Sequence, residues 1–366
     1  MVKTLRDLGV QTEARTYFIA DISANHDGSL DRARMLIRQA ADAGADAVKF
    51  QNFRAAQIVS EHGFRALGAQ SAHQARWKQS VTEVYQAASL PWEWTSALKA
   101  ESDAAGVDFF STPYDLEAVD MLAPVVPMFK VGSGDITWPE MLLKVAQTGK
   151  PVLLAAGASD IGDVQRAVHL VRSVNPRLVL MQCNTNYTGD LSNFAHIHLN
   201  VLKTFAVMFP DLVLGLSDHT PGAATVLGAI ALGARVVEKH FTDNTGREGP
   251  DHGFSMTSVS WREMVERSRE LEQALGDADK RVAENERETV VVQRRCLRAS
   301  RPLAAGTQLT RDMIDVLRPA PPDAVIPYDL PRLLHCRTTA AVAAGECFRW
   351  DAVQFEPVEA ASDAHP

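Results

Sequence analysis

The chain has 366 residues, 46% of them apolar, and a net charge of −8 spread without long acidic or basic blocks. That size fills one large domain and a smaller one, and the diffuse charge argues against nucleic acid or an anionic membrane as the main partner. The four cysteines (Cys183, Cys296, Cys336, Cys347) lack CxxC spacing and read as reduced thiols of a cytoplasmic protein. No apolar run reaches a membrane span, and the start, Met-Val-Lys-Thr-Leu-Arg-Asp, lacks the apolar core of a signal peptide.

Tyr17–Ser23 reads as a strand, and Asn25-His26-Asp27-Gly28 turns out of it. Ser29 caps a helix whose apolar positions (Leu30, Ala33, Leu36, Ile37, Ala40, Ala41) keep a helical period. The unit then recurs. Strands are expected at Ala47–Phe53, Asp108–Pro113, Phe129–Gly134, Val152–Gly157, Leu178–Cys183, Leu212–Ser217 and Arg235–Phe241, with helical patterns such as Trp92–Ala105, Ile161–Val174 and Thr225–Leu232 between them. Eight strands alternating with helices predict parallel pairing and a (β/α)8 TIM barrel over residues 1–276. The rival, a doubly wound open sheet with a dinucleotide site, has no Gly-x-Gly-x-x-Gly after the first strand to support it. Arg54–Leu90 is long for one connection and is expected to form an insertion beside the barrel mouth.

Trp261–Leu275 reads as a last amphipathic helix. The charge-rich stretch 277–295 reads as a linker, and 296–357, rich in turns, as a small C-terminal domain with a thin core. The polar tail 358–366 is expected to be disordered.

In such barrels the carboxyl ends of the strands build the site. Here they carry Asp21 and Asn25, Lys49 and Gln51, Ser111 and Thr112, Lys130 with Ser133 and Asp135, Asn184, Thr185, Asn186 and Tyr187, Ser217 with His219, and His240. His219 and His240 follow neighbouring strands, so two neutral imidazoles can converge on one cation; Asp251, in Gly-Pro-Asp-His, overhangs the same spot. The alternative is that each histidine only bonds a neighbouring loop. A lysine inside an apolar strand is costly unless an anion neutralises it. Pairing with an internal carboxylate is one answer for Lys49 and Lys130. Their nearness to hydroxyls and to the Gly-Ser-Gly turn fits a phosphate and a carboxylate of a ligand better. Together these groups suit metal-polarised carbonyl chemistry with acid–base help.

Phe-Ile-Ala-Asp-Ile-Ser-Ala-Asn-His-Asp-Gly, Ala-Gly-Ala-Asp-Ala-Val-Lys-Phe-Gln, Phe-Ser-Thr-Pro-Tyr-Asp, Phe-Lys-Val-Gly-Ser-Gly-Asp, Gly-Leu-Ser-Asp-His-Thr, Glu-Lys-His-Phe and Gly-Pro-Asp-His resemble the sialic acid synthase family. The C-terminal region is similar to that family's antifreeze-like (SAF-type) domain. The resemblance implies condensation of phosphoenolpyruvate with an open-chain sugar aldehyde, giving a nonulosonic acid and phosphate. It implies a divalent metal on His219 and His240, manganese foremost, with magnesium or cobalt as alternatives. It places Asp21 and Asp251 in catalysis. Lys49, Thr112, Lys130, Ser133 and Ser217 match positions that grip phosphoenolpyruvate, and Gln51, Tyr187 and Asp251 match positions contacting the sugar. Asp135, Thr185 and Asn186 are counted with the substrate-binding residues. Arg318 matches an arginine that reaches a partner subunit's site within a domain-swapped homodimer.

Two departures stand out. Asp21 replaces the usual Glu, retracting the carboxylate by about 1.5 Å of bond length, and Ala155 replaces a Ser that contacts phosphate. A divergent synthase using another aldehyde, and a non-catalytic sugar- or metal-binding homologue, are the competing expectations.

Overall fold

The apolar runs form eight parallel strands: β1 (Tyr17–Asp21), β2 (Ala47–Asn52), β3 (Asp108–Pro113), β4 (Phe129–Val131), β5 (Val152–Ala155), β6 (Leu178–Cys183), β7 (Val213–Asp218) and β8 (Val236–His240). This computed structural model describes residues 15–67, 77 and 79–355. The ladder runs β3-β2-β1-β8-β7-β6-β5-β4, and β3 and β4 lie side by side, so the sheet nearly closes into a (β/α)8 barrel. The strands are buried along almost their whole length, as expected when helices cover a parallel sheet. Strands β4 and β5 end earlier than the apolar runs suggest. After β4 the Gly-Ser-Gly-Asp segment winds into a 3-10 turn, Ser133–Asp135.

Local signals fix the helices. Ser29 caps Leu30–Asp42 by accepting from the Arg32 amide, and Ala33, Leu36, Ile37 and Ala40 form its buried face. Helix Ser258–Leu275 buries Trp261, which meets Phe241 edge-on at 5.7 Å between ring centroids. The insertion after β2 holds three short helices, Ala55–Ile58, Glu61–Leu67 and Val81–Ala88; residues 68–76 and 78 lie outside the described ones. No described helix is long and apolar enough to cross a membrane.

Register decides which side chains meet. In β8, Glu238 and His240 share one face, and the ladder sets Asp21 beside both Lys49 and His240, Gln51 beside Thr112, and Ser217 beside Glu238. Gly215 allows β7 to approach its neighbours closely: a Cβ there would lie 2.8 Å from the Val236 carbonyl oxygen and 2.9 Å from Met181. The opposite parity carries a second polar group. Lys239 donates to Asp218 and to the Thr220 carbonyl, while Asp218 also accepts from the hydroxyls of Thr220 and Thr225. Lys239 and Asp218 are both buried, so the pair stitches β8 to the start of the helix after β7.

The chain divides into two compact units, Met1–Gly276 and Asp277–Pro366. In the second, β9 (Cys296–Ala299) pairs antiparallel with β10 (Ile314–Leu317), and β11 (Cys336–Thr338) with β12 (Val353–Phe355). Leu297, Leu309, Ile314, Val325, Leu333 and Phe348 form its core. The stretch expected as a linker contains a helix, Arg287–Gln293, whose Val291 carbonyl accepts from the Ala320 amide at 2.8 Å. The tail at 358–366 lies outside the described residues. All four cysteines are free and buried.

Lys239→Met leaves the Asp218 carboxylate without its buried counter-ion. It should destabilise the protein by about 3–5 kcal/mol, read as a fall in urea midpoint at unchanged slope.

Candidate active site

Two carboxylates and two ammonium groups meet at the carboxyl ends of β1, β2, β4 and β8. Lys49 Nζ donates to Asp21 Oδ2 at 2.7 Å and to Thr112 Oγ1 at 3.3 Å, and stands 4.0 Å from Glu238 Oε1. Lys130 Nζ donates to the same Glu238 oxygen at 2.8 Å, and Ser217 Oγ donates to it at 3.1 Å. This corrects one expectation from the sequence. Lys49 and Lys130 do not wait for a ligand to neutralise them, because each has an internal acid. An ammonium only 2–3% exposed costs several kcal/mol without a counter-ion, and the register supplies one from a nearby strand. Burial pushes the Glu238 carboxyl up, but Lys130 and Lys49 outweigh it and bring it down to about 2. For Lys49, burial lowers and the Asp21 and Glu238 charges raise; the net shift is upward, so it stays charged.

Donor capacity remains. Among the described residues Lys130 donates to Glu238 alone, leaving two of its three N–H groups. Asp21 Oδ1 and Glu238 Oε2 are buried without a hydrogen-bond partner. At the ends of β4, β5 and β6, hydroxyls crowd against the bare Gly157. The Gly157 amide donates to Ser133 Oγ at 3.1 Å, and a Cβ on Gly157 would lie 2.1 Å from Thr185 Oγ1 and 3.1 Å from Cys183 Sγ. Thr185 Oγ1 is buried and has no partner. Ala155, at the end of β5, adds only a methyl.

The two histidines come together, their ring centroids 5.4 Å apart. His219 Nδ1 lies 2.9 Å from the Asn184 carbonyl oxygen. Donation from Nδ1 leaves the Nε2 lone pair free. Burial, then the adjacent His240, lowers the His219 pKa to about 3, so the ring is neutral. His240 Nδ1 is buried without a hydrogen-bond partner; its Nε2 is 3.5 Å from Asp21 Oδ2. Two imidazoles bound cis to one cation at about 2.1 Å have centroids about 5 Å apart, so the pair fits a divalent ion. No group of three or more His, Cys, Asp or Glu able to hold a metal occurs among the described residues. Water or substrate would therefore complete the shell.

Beside His240 is a cleft of about 140 Å³. Gln51, Tyr187, His240 and Asp251 line it together with Phe53, Ile58, Val84 and Tyr85, so the insertion does border the mouth. Gln51 Nε2 donates to Asp21 Oδ2 at 3.1 Å. Asp251 Oδ2 accepts from Ser23 Oγ at 2.5 Å and from the Ala24 amide at 3.3 Å, and stands 3.9 Å from His240 Nδ1. Tyr187 packs on His219 at 4.3 Å, and Phe254 on His240 at 4.8 Å.

Asn186 is exposed, and its Oδ1 accepts from Thr188 and Asn193 of its own loop. Asp135 sits on the turn after β4, where burial lifts its carboxyl to about 6 and Oδ2 has no partner. Arg318 is exposed in the second unit, just after β10. Glu238, Ser23 and Phe254 were not singled out from the sequence. For Glu238 the signal was present: it lies two residues before His240 in a strand, hence on the same face.

The fold raises the acidity of Glu238. The ionised form therefore contributes stability above the unfolded pKa of about 4.3 that is lost as pH falls toward about 2. Glu238→Gln should flatten the acid limb of a stability-versus-pH curve between those values.

The sequence matches the NeuB family over residues 36–280 and the SAF domain over residues 294–354. An uncharacterized protein of Methanocaldococcus jannaschii is 36% identical over 306 residues, covering 83% of this chain and 85% of that one. The N,N'-diacetyllegionaminic acid synthase of Legionella pneumophila is 30% identical over 344 residues, covering 92% and 94%. The crystal structure of N-acetylneuraminic acid (sialic acid) synthetase from Leptospira borgpetersenii, in complex with citrate, superposes with a TM-score of 0.65 at 26% identity, covering 75% of this chain and 90% of that one. A barrel with this strand-end chemistry, followed by a SAF domain, belongs to the NeuB family.

Proposed function

We propose that the protein condenses phosphoenolpyruvate with an open-chain sugar aldehyde, an N-acetylmannosamine-like or diacetamido hexose, giving a nonulosonic acid and phosphate. The observation that carries this reading is the arrangement at the barrel mouth. Two imidazoles come together there, His219 neutral and His240 with a buried unpartnered nitrogen, next to buried ammonium groups and a cleft bearing Gln51, Tyr187 and Asp251. The names of the relatives point the same way.

Lys49 and Lys130 would hold the phosphate and carboxylate of phosphoenolpyruvate, with Thr112, Ser133, Thr185 and Ser217 giving hydroxyl contacts. The remaining N–H groups of Lys130 and the free Thr185 hydroxyl support this. Glu238 keeps Lys130 charged and aimed. In the cleft, Gln51 and Tyr187 would orient the sugar, with Asp251 near its reacting end. Asp21 and Asp251 would move protons at the aldehyde oxygen and the attacking water. A divalent cation on His219 and His240, manganese foremost with magnesium or cobalt as alternatives, would polarise the aldehyde carbonyl. Carbon 3 of the enol bonds to the aldehyde carbon, water adds at carbon 2, and phosphate leaves by C–O cleavage. Arg318, exposed on the C-terminal unit, we assign to closing a second subunit's site in a two-fold homodimer. A divergent aldehyde is the second reading, favoured by Asp21, whose short side chain is drawn onto Lys49 and Gln51.

The test is phosphate release from phosphoenolpyruvate with N-acetylmannosamine, its 6-phosphate and a 2,4-diacetamido hexose, with manganese present and products weighed by mass spectrometry. Turnover with at least one aldehyde, abolished by a chelator and restored by manganese, is expected. Asp251→Asn should lower kcat by about 10²- to 10⁴-fold. Gly157→Ala drives a methyl into the Thr185 and Ser133 hydroxyls and should raise the KM for phosphoenolpyruvate roughly tenfold, the loss of one charge-assisted hydrogen bond.

A further inference from the structure

The loop that carries Asp251 has little regular structure of its own: it bears one short 3-10 turn, His252–Phe254, and Asp251 immediately precedes that turn. Something must nevertheless hold Asp251 in one place, because a displacement near 1 Å at a reacting group costs about a hundredfold in rate. The neighbouring side chain, His252, is fully buried and lines neither the cleft of about 140 Å³ nor the larger one outside it. Both its ring nitrogens are engaged. Nε2 is 2.8 Å from Asp27 Oδ1, on the loop after β1, and Nδ1 is 2.7 Å from Thr242 Oγ1, two residues beyond His240. Nε2–H donates to the Asp27 carboxylate, and Nδ1 meets the Thr242 hydroxyl.

The rest of the surroundings closes on that ring. Asp27 is paired on its other oxygen with Arg247 at 2.7 Å and Arg32 at 3.1 Å, and Arg32 in turn holds Asp243. A Cβ on Gly249 would come within 2.6 Å of the imidazole, so the chain before Asp251 folds directly over it. The loops after β1 and β8 are therefore pinned to one another through His252. The Asp251 carboxylate meets the β1 loop at Ser23 and Ala24 only one residue away.

We infer that His252 is a positioning residue: bridged between Asp27 and Thr242, it sets where the Asp251 carboxylate stands relative to His240. This deepens the reading that Asp251 serves the aldehyde and rests on it. The bridge has two ends that amide side chains can separate. An asparagine places its polar atoms near Nδ1 and keeps the Thr242 end; a glutamine reaches the Nε2 position and keeps the donor to Asp27.

The experiment compares His252→Asn and His252→Gln in the full-length, manganese-supplemented protein, using phosphoenolpyruvate and whichever aldehyde of the panel turns over best. His252→Asn should raise the KM for the aldehyde and lower kcat, their combined effect about tenfold or more, while the KM for phosphoenolpyruvate stays within about twofold; His252→Gln should recover most of the loss. The inference is overturned if His252→Asn changes neither aldehyde parameter. It is overturned equally if both KM values rise together and glutamine fares no better, the pattern of a general structural loss. If the unaltered protein releases no phosphate with any aldehyde, the reading of Asp251 fails first and takes this one with it.

Discussion

The mouth of the barrel depends on a charge balance that no single strand could achieve. Lys49 and Lys130 enter from β2 and β4, Asp21 from β1 and Glu238 from β8, and the four charges cancel in a space almost closed to solvent. Each ammonium alone would be too costly to bury, and so would each carboxylate. Because the pairing follows from the ladder register, the barrel must close with the right stagger before any of them is satisfied. The same balance leaves oxygen atoms and N–H groups of the quartet without internal partners, so it is a receptive arrangement as well as a stabilising one.

A second layer sits above the quartet and is built from loops. Ser23 and Asp27 after β1, Thr242 after β8 and the Gly-Pro-Asp-His segment are bonded to one another. In the imidazole pair His219 is held by the Asn184 carbonyl, and the rings of Tyr187 and Phe254 pack against His219 and His240. Fixed groups in a partly buried setting act more strongly on developing charge than the same groups in water. Strands supply the ions and loops supply their orientation.

Much of this was legible in the residues. The alternation of apolar runs with helical periods gave the barrel, and polar residues just past each run gave most of the site, because in this architecture function gathers at one end of the strands. What was not legible depended on pairing between distant segments. That Lys130 is answered by Glu238, 108 residues away, is a matter of register, and the sequence left internal pairing and a bound anion as competing answers. Asn186 looked available by its type and position, yet an Asx-like turn with Thr188 takes its carbonyl oxygen. Ser23 and His252 lie inside the motifs that carry the resemblance, but the letters give them no role; that comes from the loops meeting in the folded barrel. Strand β4 falls short of its apolar run because the Gly-Ser-Gly-Asp segment winds into a 3-10 turn.

Gly215 shows how far the site extends down the strands. It lies on β7 in the same alternation as Ser217 and His219, and its missing side chain is what lets the strand sit against the Val236 carbonyl and Met181. Even one methyl group at that point would wedge β7 off its neighbour, tilting the Ser217 hydroxyl off Glu238 and the His219 ring off its companion. The smallest residue in the strand is thus a shim of zero thickness: the alignment of the imidazoles several ångströms above is set by an atom that is not there.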